Sequence, residues 1–343
     1  MKKISKLIAH LGLVALTTSA LGALTPSTAR AQRVTVKLGT VAPERSPWYN
    51  SVKRIAQRWE EVSDGKVKLK IYAGGVAGDE EDMLRKIKIG QLHAATITGV
   101  GLAQVAKSTV ALQIPMLMRS YEELDYVRSK LKGRIEKDLE EAGFIVLNWG
   151  DAGWVHFFSK KPAEVPADFR DMKIMVGAKD ATAEAAWKRA GFTPVPIATT
   201  DVLQGLQTGL VDAFAAPPIF ALSSQWFGLA KHMVPVKWSP LNGATVISKR
   251  RWEKIPPDLQ KKLMEIAEEE GEKSKEEIRA LGDKAVEAMK ERGLVVHELT
   301  EAERAEWEQA AQEAYPAVRG EVIPAELFDR VRQLAAEYRA QPQ

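Results

Sequence analysis

The sequence predicts an α/β fold of two lobes joined by a hinge, and three observations support this prediction. Strand-like segments with alternating polarity are separated by segments with apolar residues at helical spacing, an order that favours largely parallel sheets. About 312 residues follow a removable leader, which is too many for one typical hydrophobic core. Residues 244–248 read as a strand, and we expect it to return the chain to the first lobe.

The N-terminus has the features of a secretory signal peptide. Lys2, Lys3 and Lys6 precede an apolar run over residues 7–24, and Ala29-Arg30-Ala31 gives a small-x-small cleavage pattern. We therefore predict a signal peptide over residues 1–31, with cleavage after Ala31. The alternative is a retained membrane anchor, but the apolar run is short for a span of ~20 residues.

Removal of this leader makes the mature chain electrically neutral. The leader carries four basic and no acidic residues, so 45 basic and 45 acidic residues remain. A neutral surface gives no global field for nucleic acid or acidic membranes, so we expect no nucleic-acid partner. The chain has no cysteine, which excludes disulfides, thiolate metal sites and cysteine nucleophiles.

The first lobe is predicted to begin with alternating strands and helices, bounded by turn residues such as Gly74-Gly75. The successive segments cover residues 33–41, 48–62, 67–72, 79–92 and 94–98, followed by a helix over 121–142 and a strand over 144–149. Asp79 is a candidate N-cap for the second helix. Glu80, Glu81 and Asp82 suit its dipole, so we interpret them as a solvated helix start.

The second lobe is predicted from a similar alternation that starts near Trp154. Its strands cover residues 155–158, 173–176, 193–196 and 213–216, with helices over 180–190 and 200–209. A helical pattern then runs from Pro256 to Arg292 and ends at Gly293, a length of ~50 Å at 1.5 Å per residue. A short strand near 294–299 and helices over 301–314 and 325–339 complete the chain.

Catalytic motifs give no support for an enzyme. The four histidines of the mature chain lack the i, i+4 spacing of a helical metal pair, and neither HExxH, GxSxG nor GxxxxGK[ST] occurs. Gly99-Val100-Gly101 begins like a dinucleotide fingerprint, but Gln104 replaces the third glycine. We therefore predict no enzymatic activity, no cofactor and no metal site. A two-lobed protein of this kind fits a ligand receptor that closes by hinge motion.

Four blocks of the chain, in order, resemble DctP-type solute-binding proteins of TRAP transporters. They are LGTVAPERSPWYNSVKRIAQRWEEVSDGKVKLKIYAGG, GDEEDMLRKIKIGQLHAATIT, GFTPVPIATTDVLQGLQTGLVDAF and ISKRRWEKIPPDLQKKL. The resemblance covers nearly the whole mature chain. It implies a periplasmic binding protein-like fold with a long lobe-spanning C-terminal helix, a periplasmic location and a TRAP permease as the membrane partner. We predict lobe limits as follows: lobe I, 32–153 plus 243–282; lobe II, 154–242 plus 283–330; helix end and tail, 331–343.

The ligand residues implied by the resemblance are largely replaced here. The family's carboxylate-binding arginine, in a K-[IL]-R-[VT] strand, corresponds to Met175, and a basic hinge position corresponds to Val155. The family's VDGQENP becomes VDAFAAP, which places Phe214, Ala215 and Ala216 at polar positions. The aromatic before the LQTG helix becomes Thr199. Several polar-to-apolar changes at one site predict a different pocket.

We therefore expect a mainly apolar cleft that takes a hydrophobic or amphipathic ligand. The thioether of Met175 suits an irregular apolar cavity, but it supplies neither the positive charge nor the paired N–H donors of an arginine. The predicted ligand-binding residues are Trp48, Trp149, Trp154, Val155, Phe157, Met175, Thr199, Phe214, Ala216, Trp238 and Asn242. Phe157 or Phe158 is expected to belong to the core, because neighbours on a strand face opposite sides.

Two alternatives remain open, and one further partner is implied. The first alternative is an organic acid that is held by a bound metal or by another cation, such as Lys173, Lys179 or Lys237. A secreted enzyme or scaffold is the second. The run AFAAPPIFALSSQWFGLAKHM resembles an arginine-poor subgroup, which implies a periplasmic TPR-repeat protein as an additional partner.

Overall fold

The computed structural model describes residues 33–178 and 181–342. The predicted signal peptide over residues 1–31 lies outside this part of the chain. Within it, no helix is both long and apolar enough to cross a membrane.

The first sheet has five strands in the order β2-β1-β3-β10-β4. Strand β1 pairs in parallel with β2 and β3, whereas β10 runs antiparallel to β3 and β4. The return to the first sheet predicted for residues 244–248 is therefore confirmed. The strands are β1 (Val34–Thr40), β2 (Val67–Tyr72), β3 (Ala94–Thr98), β4 (Phe144–Trp154) and β10 (Pro240–Ser248).

The second sheet has six strands in the order β11-β9-β5-β8-β6-β7. Parallel pairing joins β6 to β7 and β8, and β5 runs antiparallel to β8 and β9. The strands are β5 (His156–Ser159), β6 (Lys173–Gly177), β7 (Thr193–Ile197), β8 (Ala213–Ala216), β9 (His232–Val234) and β11 (Val295–Val296). Two sheets built from separate chain segments give the two-lobed α/β fold that the sequence predicts.

Helices cover the sheets and connect their strands. They are α1 (Pro47–Val62), α2 (Glu80–Lys88), α3 (Gly99–Leu102), α4 (Tyr121–Glu141), α5 (Ala181–Arg189), α6 (Val202–Thr208), α7 (Pro218–Ser223), α8 (Lys249–Trp252), α9 (Pro257–Lys290), α10 (Glu301–Ala317) and α11 (Ala325–Arg339). A 3₁₀ segment, Lys107–Gln113, lies between α3 and α4. The short helix α7 and strand β9 were absent from the sequence prediction.

Helix α1 shows how local sequence produces packing. Ser46 caps its N-terminus by accepting the Tyr49 N–H, and Pro47 occupies the first turn, where its missing N–H costs nothing. The helix buries Val52, Ile55 and Trp59 against the first sheet. Full burial of such side chains stabilises the fold by about 1.5–3 kcal/mol each. The Trp59 indole also donates to the Leu263 carbonyl at 2.9 Å, which joins α1 to α9.

Helix α9 has 34 residues and spans both lobes. Leu263 near its start packs in the core of the first sheet, and Met289 at its end packs with Phe158 and Phe214 of the second. Between them, Gly271 lies against β4. A Cβ at this position would come within 2.6 Å of the Asn148 side chain, so the absence of a side chain permits the close approach of helix and strand.

The chain crosses between the sheets at two adjacent segments. Strand β4 leads into β5 at Val155, and residues 235–239 lead back to β10. The Val155 N–H donates to the Ser239 carbonyl at 2.8 Å, and the Trp238 N–H donates to the Val155 carbonyl at 3.0 Å. These paired crossings form a hinge. Helix α11 packs on α4 in the core of the first sheet through residues such as Leu327 and Val331. The exact lobe limits stay a prediction.

Candidate ligand-binding cavity

A cavity of about 940 Å³ lies between the two sheets. The first sheet contributes Thr40 at the end of β1 and Thr98 at the end of β3. The second contributes Met175 from β6 and Ala216 from β8. Ligands of open α/β sheets bind in such crevices at strand ends.

The cavity contains most of the residues that the sequence singled out. Nine of the eleven line it: Trp48, Trp149, Val155, Phe157, Met175, Thr199, Ala216, Trp238 and Asn242. Their roles in ligand contact stay predictions.

Phe214 and Trp154 do not line the cavity. Phe214 is fully buried and stacks on Phe158, with ring centroids 4.9 Å apart. Successive residues of a strand face opposite sides, so Ala215 lies at the cavity where Phe214 was predicted. Trp154 packs against Tyr121 at 5.5 Å on the other side of the hinge.

One part of the wall from the second lobe is apolar. Met175, Ala215, Ala216, Phe220 and Trp226 all line it. The rings of Phe220 and Trp226 meet edge to face with centroids 5.2 Å apart, which favours a fixed orientation. Trp48 of α1 approaches Phe220 at 5.8 Å, so the aromatic contacts join the two lobes on this side of the cavity.

Polar groups collect at the end of the cavity that belongs to the first sheet. Asn242 is 1% exposed, and its side-chain oxygen accepts from Gln113 Nε2 at 2.9 Å. Its Nδ2 is buried without a hydrogen-bond partner in the described chain. An unsatisfied buried donor costs about 1–3 kcal/mol, so this amide is a natural anchor for an acceptor on a ligand.

Glu80 differs from its predicted role as a solvated residue. Its carboxylate accepts from both the N–H and the hydroxyl of Thr98, each at 2.7 Å. It is partly buried and lines the cavity. Desolvation raises its pKa to about 7, although the bonds from Thr98 act in the opposite direction. The sequence alone did not indicate that Glu80 is partly buried, because the contact of α2 with Thr98 of β3 forms only in the folded chain.

Three cations line the cavity, namely Lys107, Arg170 and Arg189, and all are exposed. Lys107 Nζ donates to the Glu321 carbonyl at 2.9 Å, and Arg189 pairs with Glu321 Oε2 at 2.6 Å. Over residues 33–178 and 181–342, the lining therefore contains no buried cation.

The cations suggested by the sequence as alternatives lie elsewhere. Lys173 is outside the lining and donates to the Gly209 carbonyl. Lys237 lines a different cavity, and Lys179 lies outside the described residues. In the part of the chain that the structure describes, no group of three histidine or acidic side chains is placed to hold a metal ion.

A buried ionic network supports the hinge side of the cavity. Asp151 of β4 is 3% exposed and pairs with Arg128 of α4 and Arg279 of α9, the latter at 2.7 Å. Arg279 also forms a bidentate pair with Asp125. Burial alone would lower the pKa of Arg279, but its bonds to the two aspartates raise it overall. Sequence reasoning missed this network.

The network is tied to the cavity by Trp48. Its indole N–H donates to the Asp151 carbonyl at 3.0 Å. Trp48 therefore connects α1 and the aromatic contacts of the cavity to the strand that enters the hinge.

The fold and sequence match one family along most of their length. The model of bacterial extracellular solute-binding proteins of family 7, DctP, matches residues 38–320. The C4-dicarboxylate-binding periplasmic protein DctP of Rhodobacter capsulatus is 26% identical over 335 residues, covering 94% of this chain and all of the relative. The 2,3-diketo-L-gulonate-binding periplasmic protein YiaO of Escherichia coli is 25% identical, covering 83% of this chain and 84% of that protein.

Solved structures show the same fold. A TRAP periplasmic solute-binding protein of Sulfurospirillum deleyianum with bound succinate superposes with a TM-score of 0.82 at 21% identity, covering 89% of this chain and 99% of that one. The corresponding protein of Xanthobacter autotrophicus with bound β-D-galacturonate gives a TM-score of 0.81 at 20% identity, covering 88% and 99%.

Proposed function

The chain belongs to the bacterial extracellular solute-binding proteins of family 7 (DctP), the solute receptors of TRAP transporters, and from this membership we propose a ligand. The ligand is an apolar or amphipathic molecule rather than a small carboxylate held by arginine. The observation that carries this proposal is that Met175 lines a cavity in which no buried cation is found among the described residues.

The electrostatic argument against a buried carboxylate is direct. Enclosing an unpaired carboxylate between the lobes costs several kcal/mol, unless a cation or several hydrogen bonds compensate. Arginine meets this need with a bidentate fork. The lining instead contains the acids Asp79, Glu80, Glu81, Asp151, Glu313 and Glu321 against three exposed cations. Asp151 is paired with Arg128 and Arg279, and Glu321 with Arg189. The remaining acids and the lack of a buried cation in the described lining disfavour an anionic ligand.

The arrangement of the lining supports an amphipathic ligand. The unpaired Nδ2 of Asn242 offers one donor at the end near the first sheet. The opposite wall, with Met175 and Phe220, offers apolar surface. A ligand with a neutral acceptor group and an apolar body satisfies both, and each buried CH₂ group contributes about 0.8 kcal/mol.

An organic acid is the second candidate, because relatives bind such ligands: succinate in one structure and β-D-galacturonate in another. The cavity offers Arg170 for this purpose. It makes no ion pair within 4.0 Å with any carboxylate of the described residues, whereas Arg189 is already paired. Under this alternative, Arg170 takes the role that the sequence assigned to a lysine.

The transport context follows from the family. Proteins of this kind deliver their ligand to membrane permease subunits, and the named relatives are periplasmic. We propose that the leader over residues 1–31 exports this chain to the same compartment. The TPR-repeat protein is a further proposed partner, which rests on the resemblance of residues 213–233 to a subgroup.

Mass spectrometry of the denatured purified protein tests the proposal by identifying the co-purified ligand. We expect a neutral or amphipathic molecule. Titration calorimetry with succinate, sialic acid and a medium-chain monoacylglycerol should then give binding of the last alone. Tight binding of succinate that Arg170→Gln abolishes would establish the second candidate instead.

A further inference from the structure

A second cavity of about 820 Å³ lies on the hinge side of the molecule. It shares no lining residue with the ligand cavity. Four segments form it: residues 116–119, the crossing segment 235–237, helix α10 and helix α11. Its walls therefore belong to residues 116–119, to one of the two crossing segments and to the two C-terminal helices.

The floor of this hinge cavity is apolar and rigid. Leu117, Met118 and Val236 are at most 8% exposed. The Tyr315 hydroxyl donates to the Pro115 carbonyl at 2.9 Å, which fixes its ring in the wall. The shape is thus set by packed side chains rather than by surface loops alone.

The rim of the hinge cavity is strongly basic. It contains one acid, Glu308, and five cations: Arg119, Lys237, Arg304, Arg332 and Arg339. The formal charges of the mature chain balance, so this excess is local. Such a concave cluster concentrates positive potential and attracts anions.

Three of the cations are held in place by specific contacts. Arg339 pairs at 2.7 Å with Glu123, whose side chain is 2% exposed, and it donates to the Leu117 carbonyl at 2.6 Å. Arg332 lies over the Tyr315 ring, 5.9 Å from its centroid, and Lys237 lies over Trp154 at 5.5 Å. Cations fixed in this way lose less conformational entropy when an anion binds.

The other basic residues nearby are neutralised. Arg330 on α11 pairs with Glu337 at 3.1 Å, and Arg319 pairs with Asp329 at 2.7 Å. By contrast, Arg119, Lys237, Arg304 and Arg332 make no ion pair within 4.0 Å in the described residues. The four unpaired positive charges around the hinge cavity repel one another, and a bound anion would offset this repulsion.

We propose that the hinge cavity binds a small multivalent anion bearing phosphate or carboxylate groups, separately from the transported ligand. The guanidinium groups of Arg304 and Arg332 each present paired N–H donors, which match the spacing of two phosphate or carboxylate oxygens. The apolar floor and the Tyr315 ring face the remainder of the molecule. Because Lys237 belongs to the crossing segment, the anion contacts the hinge directly.

Titration calorimetry of the purified protein with pyrophosphate and citrate, at low ionic strength, tests this site. We expect saturable binding of one anion per chain, which weakens as sodium chloride is added. The double variant Arg304→Gln/Arg332→Gln should weaken it by about tenfold or more, since two charge-assisted contacts are lost. Arg330→Gln is the control for Arg332→Gln, because each removes one positive charge from α11 and Arg330 lies outside the cavity.

Four results would overturn the proposal. Three concern the soluble anions: the absence of saturable binding, equal weakening by Arg330→Gln and by the double variant, and weakening by Arg170→Gln in the ligand cavity. Binding only to vesicles of anionic phospholipid, and not to the soluble anions, would also reject a small-molecule site. None of these results depends on which ligand the main cavity holds.

Discussion

The carboxylate of Asp79 accepts a hydrogen bond from the backbone N–H of Thr199, with 3.2 Å between the two heavy atoms. Asp79 precedes α2 beside the first sheet, and Thr199 follows β7 at the edge of the second. Both residues line the cavity. This bond therefore joins the two lobes at the ligand cavity.

Removal of this contact should favour separation of the lobes. A hydrogen bond to a charged group contributes about 1.5–3 kcal/mol, and Asp79→Ala leaves Thr199 without its acceptor. We expect a larger radius of gyration in small-angle X-ray scattering than for the unaltered protein. Asp79→Asn keeps an acceptor oxygen and should give an intermediate value. Identical radii for all three proteins would show that the bond does not hold the lobes together.

The sequence predicted the regular elements well, because periodicity is a local property. Helix α11 has the predicted bounds, Ala325–Arg339, and β6 and β7 differ from the prediction by one residue at their ends. The return of β10 to the first sheet was also predictable, because an isolated strand needs a partner.

The environment of the cavity was less predictable, because it depends on contacts between distant segments. Asp151 and Arg279 are separated by 128 positions, and no local pattern indicates their pairing. Alternation along β8 predicts that Phe214 and Ala215 face opposite sides, but only the packing of Phe158 decides which side is the core.

Glu80 should make the protein less stable as the pH rises. Its folded-state pKa of about 7 lies above the ordinary glutamate pKa of 4.5, because burial penalises the carboxylate. Between pH 4.5 and about pH 7, the folded state binds more protons than the unfolded state. The free energy of unfolding is therefore highest below pH 4.5 and falls as the pH rises to about 7. Glu80→Gln, which keeps the shape of the protonated form, should lose most of this dependence.

Thermal unfolding at pH 5 and pH 8 measures the effect. We expect Glu80→Gln to gain stability relative to the unaltered protein at pH 8, by about 1–3 kcal/mol, and to differ little at pH 5. Glu301→Gln, in the first turn of α10 and exposed, is the control and should show no such difference. An equal effect of Glu80→Gln at both pH values would mean that its charge state is not the cause.

Loss of Arg279 should strongly destabilise the fold. Arg279→Gln leaves Asp125 without its bidentate partner and Asp151, which is 3% exposed, with Arg128 alone. Removing one partner of a buried pair costs about 3 kcal/mol, because a buried charge is left uncompensated. Urea denaturation should show this loss. Arg134→Gln breaks an exposed pair with Asp138 and should cost less than about 1 kcal/mol.

Substitution at Met175 tests whether the cavity retains the geometry of a carboxylate site. Met175 lies on β6 and lines the cavity. An arginine at this position supplies the missing bidentate donor. Met175→Arg should therefore bind succinate at least about tenfold more tightly than the unaltered protein. A tenfold change in affinity corresponds to about 1.4 kcal/mol. Met175→Leu keeps an apolar side chain of similar size and should leave succinate binding unchanged. If Met175→Arg folds, as judged by its thermal unfolding, and still does not bind succinate, the cavity differs from a carboxylate site at more positions than Met175.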